Sequence, residues 1–364
     1  MSALRAAHLP GSSAPWGRWR GVVQALRAHP RRVIAALVVA AGVAGAIMLA
    51  PALARFPHEL AAMGHGDVRW LLLALLLEAL SFAGQVLLFR AVYEGSGARI
   101  GFRDSYEITL AGHAATRLLA SAGTGGMALT AWSLRRLGLR MSEVARRMIA
   151  FLVLMYSVYT LALLLGGIGL STGVLAGGGS LALTLFPAAL ATAVGALALT
   201  APVFAAPAAR RLRASERSVA RRVAAAIEAL GDGVRLALSM IRERRLGLFG
   251  APLWWGFDVA VLWASFRAFG DAPPLGVILM AYFVGTLANT LPLPGGIGGV
   301  EGGMIGAFVA FGVHAGPAVA AVLAYRLFAF WLPTIPGAIA YLQLRRRLAR
   351  GAGEIATGAQ PAVA

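Results

Sequence analysis

Six stretches of the chain are long and apolar enough to cross a bilayer: residues 33–54, 70–93, 148–170, 181–206, 247–270 and 317–342. A spanning helix needs about 20 mostly apolar residues, and each of these supplies them. The connectors are polar or basic. Residues 1–32 form a basic leader, 207–246 predict a basic, partly amphipathic helix that connects spans or rests on the membrane surface, and 346–364 predict a disordered tail. The run 33–54 ends in Ala-Leu-Ala, which is similar to a cleavage site, but it is too long and its leader too extended for a signal peptide, so it predicts an uncleaved anchor.

Two further apolar segments, 105–134 and 273–311, are too long for loops and too broken for single spans. Each has glycine near its middle, "SAGTGG" at 121–126 and "PLPGGIGG" at 292–299. Proline removes a helix hydrogen bond and glycine lets the chain turn sharply. Irregular backbone at membrane depth is tolerated only inside protein or along a wet cavity. Both segments therefore predict re-entrant hairpins of two half-helices, the first entering from the cytoplasmic side and the second from the other. From span start to glycine turn the separation is 51 residues in one unit (70 to 121) and 48 in the other (247 to 295). The expected fold is an all-α polytopic membrane protein, about six spans plus two oppositely oriented hairpins in an inverted repeat, occupying residues 33–345.

Composition agrees. Hydrophobic residues make up 59% of the 364, above a soluble domain's usual share, and there is no cysteine for a disulfide or thiolate site. Net charge is +18, carried by arginine without lysine. Six arginines lie in 1–32, five in 135–147, ten in 210–245 and four in 345–350. Clusters that flank apolar spans follow the positive-inside rule and do not form a nucleic-acid face. They put both termini in the cytoplasm and would attract anionic headgroups.

Ionisable groups within apolar segments cost about 2.5–3.5 kcal/mol at the bilayer centre on insertion scales, so they usually have a partner or a task. Glu78 and Asp258 sit in spans that correspond in the two units. Glu107, His113 and Arg117 precede the first glycine turn, with His113 and Arg117 one helical turn apart. Glu301 follows the second turn, and Arg326 lies inside the last span. Structural readings stand beside functional ones. Arg90 and Arg267 lie near span ends and need only snorkel. Glu78 and Asp258 can serve as polar contacts between helices, and Glu301 and Arg326 as an ion pair. Gly298, Gly302 and Gly306, with Gly299 and Gly303, recur at four-residue spacing and predict a closely packed small-residue face. A half-helix starting near Gly298 would also aim free amides and its positive dipole end inward, which suits phosphate; Gly295 and Gly296 belong to the same turn. Glu301 in the first turn equally suits that dipole.

The segment "LPLPGGIGGVEGGMIGAFVAFGV", followed by "AVAAVLAYRLFAFWLPTIPGAIAYL", resembles the signature of the lysylphosphatidylglycerol synthase transmembrane-domain, or flippase-like, family. The matching residues are Pro294, Gly295, Gly296, Gly298, Gly299, Glu301, Tyr325, Arg326 and Pro333. "RLLASAGTGGMALTAWSLRRLGL" is similar to that family's first Gly-Gly segment, with Thr124 a departure at the turn. The resemblance implies a polytopic bacterial inner-membrane protein tied to moving a lipid between leaflets, without the aminoacyl-transferase domain of bifunctional relatives.

The leading expectation is thus a protein that binds or translocates a phospholipid or polyprenyl-linked lipid. Arg326 and Arg117 would hold phosphate, with Glu301 taking a cationic headgroup or a proton. Expected partners are anionic or phosphate-bearing membrane lipids, a second copy of the chain and envelope-lipid enzymes, with no nucleic acid, cofactor or metal. The alternatives are a membrane-embedded enzyme on lipid phosphates, using Glu301, Asp258 or His113 as acid or base, and a scaffold recruiting enzymes through 207–246. Acids and histidines do not fall at metal-ligand spacing, which counts against the enzyme.

Overall fold

The structure, a computed structural model, describes residues 66–94, 100–118, 124–215, 217–290 and 296–357. The predicted first span at 33–54, the first glycine turn up to residue 123, and Gly295 lie outside these. The described residues are helical, with no strand among them. In chain order the helices are α1 (Val68–Tyr93), α2 (Phe102–Leu118), α3 (Thr124–Arg136), α4 (Met141–Ser171), α5 (Leu181–Arg213), α6 (Ser218–Arg242), α7 (Gly250–Phe269), α8 (Leu275–Thr286), α9 (Gly299–Ala310), α10 (Ala315–Arg326) and α11 (Leu332–Thr357). A 3₁₀ turn at Leu246–Phe249 leads into α7, and a π-helical turn at Leu327–Trp331 joins α10 to α11.

Among the described residues five segments are long and apolar enough to span: α1, α4, α5, the Leu246–Phe269 segment, and Ala315–Leu348, which runs through the π turn. Helix α4 starts at Met141, seven residues before the apolar run begins at 148, because its polar first two turns, with Glu143, Arg146 and Arg147, extend the helix beyond the apolar body. Helix α11 runs on to Thr357, so the first part of the segment expected to be disordered is helical.

Helices α1 and α7 form an antiparallel pair. At one end the amide of Asp67 bonds the Ala268 carbonyl at 2.9 Å. At the other, Arg245 reaches the Ala91 carbonyl at 3.4 Å. The pair crosses through glycine: a Cβ on Gly250 would lie 2.3 Å from the Gly84 carbonyl oxygen and 2.5 Å from the Leu88 nitrogen. Only glycine permits that backbone-to-backbone approach.

The two hairpins sit on this pair from opposite ends. Helix α2 starts beside the Tyr93 end of α1, where Arg90 lies over the Phe102 ring, and runs inward to Arg117. Helix α3 brings the chain back to Arg135 and Arg136. Helix α8 starts at the other end, where Gly276 meets Leu170 and Leu175, and runs inward to Thr286. Helix α9 returns outward, with Phe308 against Phe266 and Phe311 against Gly179. Each hairpin closes over a pair of glycines. A Cβ on Gly126 would meet the Gly112 carbonyl oxygen at 2.5 Å, and one on Gly285 the Met304 nitrogen at 2.7 Å. The inverted repeat is thus visible as crossed packing. Helix α2 lies along α11, where Gly337 abuts the Leu110 carbonyl, and α8 lies along α4.

The described arginine clusters share one end. Helix α6 packs there against the start of α4 and the end of α5, through Gly233 on Ile149 and Gly231 on Ala205. The predicted amphipathic helix therefore buries part of its apolar stripe on protein.

Candidate functional site

Midway along the α1–α7 pair two carboxyl groups face one another, Glu78 from α1 and Asp258 from α7. Both are buried, Glu78 at 5% exposure and Asp258 at 9%. Their antiparallel register follows from the end contacts and from Ser81, whose hydroxyl donates to the Trp254 carbonyl at 3.0 Å. The Tyr282 hydroxyl of α8 donates to Asp258 Oδ2, and the Tyr325 hydroxyl of α10 donates to the same oxygen at 3.2 Å. Glu78 Oε2 is buried without a hydrogen-bond partner. The second half of the chain thus supplies Asp258 with two donors, whereas Glu78 keeps an unsatisfied oxygen in the same centre.

Arg117, in the last turn of α2, enters this centre from the first hairpin. Its guanidinium donates to the Ala329 carbonyl at 2.6 Å and the Phe330 carbonyl at 2.9 Å. Both carbonyls belong to the π turn, where the i to i+5 pattern frees backbone oxygens that an α-helix would occupy. An arginine fork is well matched to two adjacent acceptors.

Arg326 lies at the last residue of α10, just before that turn. Its Nε donates to Glu301 Oε1 at 2.6 Å, while Glu301 Oε2 accepts the Gly298 amide at 2.7 Å. One carboxylate therefore caps α9 and neutralises an arginine that is only 8% exposed in its side chain. Gly296 and Gly298 have φ of 68° and 81°, a left-handed pair that turns the chain into α9. A Cβ at Gly296 would also strike Asn289 Oδ1 at 2.4 Å. The two arginines share one neighbour, with Arg117 5.3 Å and Arg326 4.3 Å from the centre of the Phe330 ring.

The predicted residues are thus brought together in large part. Glu78, Asp258, Tyr325, Arg117, Arg326, Glu301, Gly296 and Gly298 gather around the inner ends of the two hairpins. His113 stands aside. Its Nε2 pairs with Gln85 Oε1 at 2.5 Å, and its ring packs edge-on against Phe82. Glu107 belongs to the arginine-rich end, bonded to Arg103 at 2.8 Å and Arg347 at 2.7 Å. Arg347 also binds Asp104 at 2.5 Å, tying α2 to α11. Arg267 follows the snorkelling expectation, stacked on Trp70 and paired with Asp271 at 3.2 Å.

Two expectations need correction. The four-residue glycine stripe does not form one packed face. Gly303 lies against Gly285, but Cβ atoms at Gly298, Gly302 and Gly306 would meet nothing within 4 Å, so this side of α9 is open. The reason is that α8 covers α9 from one side only. Nor do the turn's amides and the arginines stand ready for an anion. Glu301 takes the Gly298 amide and Arg326, and the π-turn carbonyls take Arg117.

Tyr282 and Phe330 were missed. Both lie in strongly apolar sequence, where an aromatic residue reads as core, and only the register against Asp258 and Arg117 reveals them. Among the described residues no group of three acids or histidines is placed to hold a metal.

A family model described as the lysylphosphatidylglycerol synthase TM region matches residues 33–337. Two UPF0104 membrane proteins of Methanothermobacter thermautotrophicus are similar, one 32% identical over 123 residues and the other 31% identical over 135. These alignments cover 34% and 36% of this chain and 35% and 39% of those proteins. A UPF0104 membrane protein of Pyrococcus horikoshii is 33% identical over 110 residues, 29% of this chain and 33% of that one. The chain thus aligns with well under half the length of these curated relatives.

Proposed function

Because the chain belongs to the lysylphosphatidylglycerol synthase TM region family, a family of membrane proteins, we propose that it binds a phosphate-bearing lipid at the meeting point of its two hairpins and moves that headgroup between leaflets. The observation that carries this reading is the convergence of Arg117 and Arg326 on Phe330, beside the start of α9. Two guanidiniums from opposite halves of an inverted repeat, at the depth where the hairpins end, form a site that an anionic group can bridge. The open stripe Gly298, Gly302 and Gly306 leads from this point along α9 and offers a smooth path for a headgroup whose chains remain in lipid.

In the arrangement described, Glu301 holds Arg326. We read it as the resting state. A phosphate displaces the carboxylate from Arg326, and because Glu301 also caps α9, its release frees the Gly298 amide for the same anion. Headgroup binding and rearrangement of the second hairpin are then one event. The positive-inside rule assigns the arginine-rich end to the cytoplasm.

Native mass spectrometry of the gently purified protein tests the binding step. One phosphate-headgroup lipid class is expected to remain bound to the wild type and to be lost from Arg326→Ala at matched monodispersity. A wild type that carries no lipid above the bulk membrane composition contradicts the proposal.

A further inference from the structure

The centre holds more acid than base. Glu78, Asp258 and Glu301 face Arg117 and Arg326, and one acid and one base, Glu301 and Arg326, neutralise each other at 2.6 Å. That leaves the buried Glu78 and Asp258 against Arg117 alone, which is half-buried and within electrostatic reach of both. An uncompensated charge in a low-dielectric interior is strongly disfavoured. The surrounding groups do not supply the missing positive charge. From α8 and α10 the Tyr282 and Tyr325 hydroxyls donate neutral hydrogen bonds to Asp258, and Arg117 spends two donors on the π-turn carbonyls. Glu78 Oε2 is left buried without a hydrogen-bond partner, with the Asp258 carboxyl next to it.

We propose that Glu78 and Asp258 form a site for one monovalent cation, a proton or an alkali ion, held between the two carboxyl groups at the pseudo-twofold centre of the molecule. A proton would give Glu78 a hydrogen bond to Asp258; an alkali ion would use the two carboxylates with the tyrosine hydroxyls as oxygen ligands. Either brings the group of three to neutrality. The site stands without the lipid reading, but its use rests on it: a cation here lowers the negative potential beside Arg117 and Arg326, so an anionic headgroup binds better when the cation is present. By linkage the headgroup strengthens cation binding equally.

The test uses full-length protein in detergent, where failure to move lipid has no influence on the result. Infrared spectra at neutral pH read the carbonyl band of a protonated carboxylic acid and its shift in D₂O. Melting curves in sodium chloride against choline chloride read alkali-ion binding. Either the acid band or the sodium-dependent rise is expected in the wild type, and it is expected to be lost in both Glu78→Gln and Asp258→Asn. Tyr325→Phe removes only a hydroxyl 3.2 Å from Asp258 and serves where those variants do not fold. It is expected to shift the band or weaken the rise. Absence of both signals, survival of the signal in both carboxyl variants, or an unchanged signal in Tyr325→Phe overturns the site.

Discussion

Arg117 and Arg326 come from opposite halves of the chain and meet at one ring, their guanidiniums 5.3 and 4.3 Å from the centre of Phe330. Their charges are satisfied differently. Arg117 is held by backbone carbonyls, and Arg326 by the carboxylate of Glu301. A carbonyl pair fixes an arginine without cancelling its charge, whereas the Glu301 contact can be exchanged for another anion. This asymmetry makes Arg117 the fixed part of the centre and Arg326 the part that changes partner.

The ion pair can be separated into its parts. Glu301→Ala leaves a buried guanidinium without its carboxylate and removes the cap of α9, and breaking such a pair costs up to about 3–5 kcal/mol. A marked fall in melting temperature is expected in detergent. The double variant Glu301→Gln/Arg326→Gln removes both charges of the pair, leaving neither uncompensated, and is expected to melt above Glu301→Ala. Equal melting temperatures for the two would show that the charge pairing is not what holds α9 in place.

Arg117→Lys tests the π turn. A lysine keeps the charge but cannot present a planar fork to the Ala329 and Phe330 carbonyls. Hydrogen bonds from a charged donor contribute about 1.5–3 kcal/mol each, so loss of one is expected to lower the melting temperature measurably. Hydrogen exchange of the 327–331 segment is expected to speed up with it, and unchanged exchange there would count against Arg117 as the support of that turn.

The glycines should divide into two classes. Gly250→Ala places a methyl 2.3 Å from the Gly84 carbonyl oxygen, a backbone atom that cannot step aside, and overpacking of this kind costs about 1–3 kcal/mol or more. Gly302→Ala meets nothing within 4 Å and gains helix propensity, up to about 1 kcal/mol. Melting curves should therefore move in opposite directions. A destabilised Gly302→Ala would mean that the open side of α9 is covered in the folded protein.

Sidedness follows from single cysteines, since the chain has none of its own. Val174, 81% exposed in the α4–α5 connection, lies at the end opposite the arginine clusters. Ala225 is exposed on α6 at the arginine-rich end. A membrane-impermeant maleimide is expected to label Val174→Cys in intact cells, and Ala225→Cys only after permeabilisation. The reverse pattern would invert the orientation.

Much of this architecture was legible from the chain. The hairpins announced themselves because an apolar run interrupted by glycine, and in the second hairpin also by proline, can neither span nor leave the membrane, and the charge clusters fixed their opposite directions. Glu78 and Asp258 stood out because carboxyl groups are rare in spans, and Glu301 and Arg326 were already recognisable as a pair. Other features depended on register. Tyr282 in "VILMAYFVG" has no local mark that separates a ligand of Asp258 from a core aromatic. The π turn at 327–331 contains neither proline nor glycine, and only the Arg117 contacts reveal its role. Arg347 sits in a run of three arginines that reads as a positive-inside signal, yet it alone reaches back to Asp104 and Glu107. The glycine stripe on α9 was misread because four-residue spacing says which residues share a face, not whether another helix covers it.

The most direct test of the central proposal is leaflet exchange in proteoliposomes. Vesicles carry a headgroup-labelled phospholipid or polyprenyl phosphate, and an impermeant quencher reads the outer leaflet. Wild-type protein is expected to expose inner-leaflet label of one phosphate-headgroup class, with Arg326→Ala falling to the protein-free level. Wild-type vesicles that match protein-free vesicles for every lipid tested, or an Arg326→Ala protein that exchanges lipid at the wild-type rate, would contradict it.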